Sequence, residues 1–163
     1  MAENRTNMVS LLDMGLWLGG KTSNIMEIGD GVTELTEEWG PDIESKQYIN
    51  MATKASNLKG YEFSTSIERD YMDDDFQKAI IDGFKQFPTG KKCETYYYRY
   101  FKTDITDGTG DCIRVPVIVA PSTVGGSGED VLTSALEISG NGAVEQGTIT
   151  ITEDGYTWEP KSA

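Results

Sequence analysis

The sequence predicts a mainly-β domain of the β-sandwich or barrel type, with one flanking α-helix and a long inter-strand loop. Three observations carry this. Several segments alternate apolar and polar residues with a period of two, such as Tyr61, Phe63, Thr65 and Ile67 against Glu62, Ser64, Ser66 and Glu68. Eighteen glycines fall between the apolar runs, as a fold with many turns requires. Only one segment has a clear helical period, within residues 73–87.

Taken in order, residues 1–22 read as an N-terminal arm. Its small apolar patch holds Leu11, Leu12, Leu16, Trp17 and Leu18, with Leu12, Leu16 and Trp17 the candidate docking residues. "IMEI" and "VTELTEEW", within residues 25–39, suit one or two strands. Residues 40–60 form a polar reach with no clear period, longer than most connections and therefore a candidate for function. The alternating strand of residues 61–68 follows.

The helix starts where Asp73 or Asp74 can cap it and acids suit the helix dipole. Phe76, Ala79, Ile80, Gly83, Phe84 and Phe87 fall on one face, and Pro88 and Gly90 stop it. "ETYYYRYFK" is strand-prone, with Tyr96, Tyr98 and Tyr100 on one face and Thr95, Tyr97, Arg99 and Phe101 on the other. "CIRVPVIVA" puts Ile113, Val115, Val117 and Val119 on one side, and its Pro116 points to an edge or a bulge. "PSTVGGSGED" reads as a flexible loop. "VLTSALEIS" and "TITIT" form a final hairpin around "GNGAVEQG", and "DGYTW" closes the chain. The 163 residues fit a single domain.

The net charge is −13. Such a surface disfavours stable binding to nucleic acid or anionic lipid. Residues 13–44 hold eight acids against the single base Lys21, a net of 1 − 8 = −7, about half of the excess. Nothing approaches the roughly 20 apolar residues that span a bilayer, and the first residues do not fit a signal peptide. The sequon at Asn4-Arg5-Thr6 carries no meaning without secretion. Cys93 and Cys112 each sit beside a predicted strand and read as ordinary thiols.

The chain has no histidine, which removes the commonest general base and metal ligand. No catalytic residue, metal site or cofactor is identified. A carboxylate pair for glycoside hydrolysis stays open in principle, but among 27 acids none stands out. "DITDGTGD" departs from a calcium loop at Thr106 and reads as an Asp-Gly hairpin turn. The glycine-rich stretches do not lead from a strand into a helix, so they lack the geometry that cradles phosphate. The tyrosines of residues 96–100 have the chemistry of a base-stacking platform, but strand packing explains them as well.

Three segments in a fixed order carry a resemblance: "KQYINMATKASNLKGYEFSTSIERD" (residues 46–70), "DDFQKAIIDGFKQFPTG" (74–90) and "ALEISGNGAVEQGTITI" (135–151). With the aromatic and edge strands between them, the chain resembles the phage tail tube (major tail) proteins. The resemblance implies a β-sandwich or barrel-like tail tube fold whose copies form hexameric rings. The inward sheets of a ring join into one barrel, and rings stack into a hollow tube that conducts DNA into the host. An acidic lumen would repel phosphate within roughly 8 Å at physiological salt.

The resemblance also gives residues 40–60 the role of an inter-subunit, ring-stacking loop. Tyr48, Ile49, Asn50, Lys54, Asn57 and Leu58 are its candidate contacts. The implied partners are further copies of the chain, a tape measure protein in the lumen, tail completion and baseplate or tip proteins, and, in a contractile tail, a sheath protein. DNA passes without being bound, and no membrane is involved. The implied location is the virion tail, assembled in the bacterial cytoplasm, with no added immunoglobulin-like domain. Two alternatives stay open: the tube of a contractile tail or DNA-free bacteriocin particle, and a stand-alone β-sandwich binding module.

Overall fold

The computed structural model describes residues 4–29, 31–129 and 131–161. The chain is mainly β. Eight strands build one antiparallel sheet: β1 (Met8–Asp13), β2 (Ile25–Ile28), β5 (Ser64–Asp70), β6 (Glu94–Phe101), β7 (Thr109–Gly125), β8 (Thr133–Gly140), β9 (Glu145–Thr152) and β10 (Gly155–Pro160). Two more, β3 (Pro41–Lys46) and β4 (Ala55–Tyr61), pair only with each other. The one α-helix, α1, spans Asp75–Gln86.

The sheet branches at β7. One edge of this 17-residue strand pairs with β6. The other edge pairs first with β9, over Thr109 to Arg114, and then with β8, from Val117 onward. Pro116 falls in the gap between these two partners, where no ladder needs its missing N–H. Its carbonyl accepts from Asn141 N at 2.8 Å. It therefore marks a change of partner, where the sequence pointed to an edge or a bulge. The bulge lies further on, between Pro121 and Thr123.

Residues 8–13 are not an arm. β1 lies inside the sheet between β6 and β2, and Leu11 and Leu12 are fully buried. Successive residues of β1, β6 and β7 point into different cores, because this spine is covered on both faces. Leu12, Tyr97, Val115, Val117 and Val119 join Ile67, Leu136, Ile138, Phe76, Ile80 and Trp17 in one core. Val9, Leu11, Tyr98, Tyr100, Cys112 and Ile149 form the other.

Two other expectations change. "VTELTEEW" forms no strand, only a bridge between Glu38 and Ser64. The stretch expected as the loop "PSTVGGSGED" begins as the end of β7, through Gly125. The Asp-Gly turn is present: Thr106 and Thr109 exchange both backbone hydrogen bonds around Asp107 and Gly108, each at positive φ, as a two-residue hairpin turn needs.

Helix α1 is capped by Asp74, whose carboxylate accepts from Gln77 N at 2.9 Å. Buried Arg69 grips the same carboxylate with both Nη atoms, and holds it below the usual carboxylate range against the opposing effect of burial. Phe76 and Ile80 turn into the core, whereas Phe87, expected on that face, ends the helix at positive φ and is exposed.

At Gly83 the helix meets Trp17, whose indole N–H donates to the Val119 carbonyl at 3.1 Å. A methyl at position 83 would sit 2.3 Å from the Trp17 ring. Alanine is the better helix former by about 1 kcal/mol. Even so, Gly83→Ala is expected to lower stability by about 1–2 kcal/mol in urea unfolding, because the overpacked ring cannot move.

Candidate assembly surfaces

Residues 31–46 run antiparallel to residues 55–70 as one long hairpin. The pairing holds at its base, where Asp70 N donates to Gly31 O, at mid-length between Glu38 and Ser64, and beyond it between β3 and β4. Between Gly31 and Glu38 the two arms separate. The outer arm is held there by side chains: Thr65 Oγ1 donates to Thr36 O at 2.8 Å. Glu37 turns inward to receive Trp39 Nε1 at 3.0 Å and the Tyr97 hydroxyl at 2.8 Å. Burial, with the Glu37 charge acting in the same direction, pushes the Tyr97 phenol far above its ordinary pKa, so it stays a neutral donor. Trp39, Phe63 and Tyr97 stack in sequence, with ring centroids 4.6 and 5.1 Å apart. The base of the hairpin is thus fixed to the spine of the sheet.

Among the described residues, the hydrogen bonds and ion pairs of its far half all lie within the hairpin. Ser45 and Ser56 hydroxyls lie 3.1 Å apart, Lys59 Nζ lies 2.8 Å from Glu44, and a turn joins Tyr48 O to Met51 N at 3.0 Å. The register puts Ile43 and Leu58 opposite one another, with Pro41 opposite Tyr61, on one face. Ile43, Leu58 and Tyr61 are all exposed there, and Ile49 at the tip is fully so. Residues 45–61 carry Lys46, Lys54 and Lys59 and not one acid, in a chain whose net charge is −13.

The second surface is the outward face of β5, β8 and the second half of β7. The inward residues Thr65, Ile67, Leu136, Ile138, Val117 and Val119 are buried; those that alternate with them, including Ser66, Glu68, Glu137 and Ala120, are exposed. Where residues 31–38 part from β5, a trough of about 660 Å³ opens. Glu34, Glu38, Glu68, Asp70 and Glu137 line it, with no lysine or arginine. This sheet ends on two strand edges without a full ladder. One is the outer edge of β5 beside the trough. The other is β7 from Ala120 to Gly125, because β6 stops opposite Ile118 and the Val119 carbonyl is taken by the Trp17 indole.

No protein-family model and no curated protein matches this sequence. Solved structures do match its shape. The tail of an empty gene transfer agent particle, refined with C6 symmetry, aligns at a TM-score of 0.58 with 15% identity, covering 88% of this chain and 97% of that one. A chain of the native gene transfer agent virion aligns at 0.56 with 14% identity, covering 89% and 98%. The sheath/tube terminator of the PVC extracellular contractile injection system aligns at 0.54 with 6% identity, covering 90% and 96%.

The chain has the tail tube fold.

Within that fold, the six candidate contact residues lie together on the long hairpin. Tyr48, Ile49, Asn50 and Lys54 occupy its tip, and Asn57 and Leu58 its returning strand; all are exposed. What read as a loop over residues 40–60 is therefore two strands and a short tip over residues 47–54. Leu12 and Trp17 pack in the core of their own domain, and Leu16 is half-buried. Sequence reading passed over Ile43 and Tyr61, and over the charge of the hairpin. Three lysines without an acid over residues 45–61 was the signal available.

Cys93 and Cys112 are both free thiols. Burial pushes the Cys112 thiol up to about 12. Among the described residues, no group of three or more acids or thiols is placed to hold a metal.

Proposed function

We propose that this protein is the structural subunit of a tail tube. Six copies close into a ring, rings stack, and the hollow interior conducts DNA into the host. The observation that carries the reading is the match of 88% of the chain to a gene transfer agent tail refined with six-fold symmetry. The sheet supports it. Joining the β5 edge of one copy to the residue 120–125 edge of the next continues β5, β8 and β7 into a barrel, and removes two partly open edges that an isolated β protein must otherwise protect.

On this reading the outward face of β5 and β8 lines the lumen. Glu68 and Glu137 make that wall acidic, and serine and alanine between them keep it smooth. Such a wall repels phosphate and lets DNA slide. The lumen houses a tape measure protein before DNA enters. Tail completion and baseplate proteins cap the ends, and a sheath surrounds the tube if the tail is contractile. The chain has no catalytic part in this, and its place is the virion tail, built in the host cytoplasm.

Negative-stain microscopy of the concentrated protein, with its mass in solution, tests the proposal. Six-fold rings or hollow tubes are expected. A protein that stays monomeric at every concentration, and also fails to join tubes seeded from intact tails, overturns it.

A further inference from the structure

The hairpin tip leaves the body at the Ser64 end of β5. At the opposite end, after Asp70, two loops lie side by side and are tied by a hydrogen bond from Tyr71 N to Leu132 O of 2.8 Å. They present Tyr71, Met72, Val131 and Leu132, all exposed. An apolar patch of this kind, rimmed by charge, is where association happens. Its rim is acidic: Asp70, Asp73, Asp75 and Glu129 are exposed around it. Lys78 reaches Asp75 at 3.9 Å and Lys85 lines the same hollow as Tyr71 and Asp73, but the four rim acids outnumber these two lysines. The hairpin tip is its complement, with exposed Tyr48 and Ile49 among Lys46 and Lys54; one acid, Glu44, faces Lys46 at 3.7 Å.

We infer that the hairpin tip of one copy docks on the Tyr71/Met72/Val131/Leu132 patch of a second copy. This rests on the tail tube reading and gives the hairpin its partner surface. The two surfaces differ and sit at opposite ends of one strand. A contact between them is head-to-tail and leaves a free tip and a free patch at every step, so it propagates along an axis. The lysines steer the tip to the acid rim, and the apolar side chains on both sides are removed from water. The contact therefore weakens with added salt.

The experiment uses the full chain in three charge variants: Lys46→Glu with Lys54→Glu, Asp73→Lys with Glu129→Lys, and all four together. None of these side chains is buried, and Asp74, the helix cap, is untouched. Each pair alone is expected to raise the concentration needed for assembly by about tenfold or more, and the fourfold exchange to restore it. Wild-type tubes with no effect of either pair, or with no recovery in the fourfold variant, overturn the docking and leave the tube reading standing. If the wild type forms no tubes, a disulfide trap decides. Ile49→Cys with Met72→Cys is expected to give a ladder of linked chains under mild oxidation, and Ile49→Cys with Phe87→Cys is not. A ladder from both pairs, or from neither, refutes the contact.

Discussion

Replacing residues 47–54 by Asn-Gly is expected to leave a fully folded protein that no longer assembles. Lys46 and Ala55 are directly paired, so a two-residue type I′ turn can join them without disturbing β3 or β4. The tip contributes no described hydrogen bond to the body; Gln47 Nε2 bonds Met51 O and Met51 N bonds Tyr48 O, both within the tip. Stability measured by urea unfolding should change by less than about 0.5 kcal/mol. Tubes and rings-on-rings should disappear from micrographs.

The physical ground is that an isolated two-stranded hairpin is marginal in water. This one carries exposed Ile43, Tyr48, Ile49, Leu58 and Tyr61, with no partner of its own. A shortened protein that still builds normal tubes would remove the hairpin tip from the assembly. One that unfolds would show that the tip serves the fold.

How far the sequence revealed this structure depended on how each strand is buried. β5 and β8 were legible because one face meets the core and the other meets water, so buried and exposed residues alternate. β1 was not. Its residues from Val9 to Asp13 are all buried, so the two-residue period vanishes and "MVSLLD" reads as a short apolar patch. β3 and β4 failed in the opposite sense. Both their faces are largely exposed, and without a buried face no alternation is imposed. Residues 31–38 are held by Thr65 and Tyr97, contacts distant in sequence that no local pattern announces. The six candidate contacts on the hairpin were proposed through resemblance, whereas the acidic patch at the far end depends on two loops that only folding brings together.

Asp13 follows the apolar residues of β1, and its removal is expected to be strongly destabilising. The side chain is fully buried at the end of β1. Oδ1 accepts from Gly15 N at 3.1 Å, Leu16 N at 3.2 Å and Asn24 N at 2.9 Å, and Oδ2 from Ser23 Oγ at 2.5 Å. The Asp13 carbonyl also accepts from Thr95 Oγ1, on β6. One residue thus closes the connection from β1 to β2 and fixes the turn that presents Trp17 to Gly83 and Val119.

Asp13→Ala leaves four donors without their acceptor, two of them on the half-buried Gly15 and Leu16. Hydrogen bonds to a charged acceptor contribute more than neutral ones, and each stranded donor adds its desolvation cost. A loss of about 3–5 kcal/mol is expected, a large part of the ~5–15 kcal/mol that holds a typical domain together. Asp13→Asn keeps Oδ1 for the three backbone donors, and its amide can donate to Ser23, so about 1–2 kcal/mol should be lost. The order Ala worse than Asn in urea unfolding, followed by tryptophan fluorescence, is the check. Equal losses would assign the effect to the missing charge, and a loss below about 1 kcal/mol for Ala would mean that water replaces the carboxylate. Because β1 stands between both cores, a large loss here should reach the hairpin base and the helix together, and assembly should fail with folding rather than separately from it.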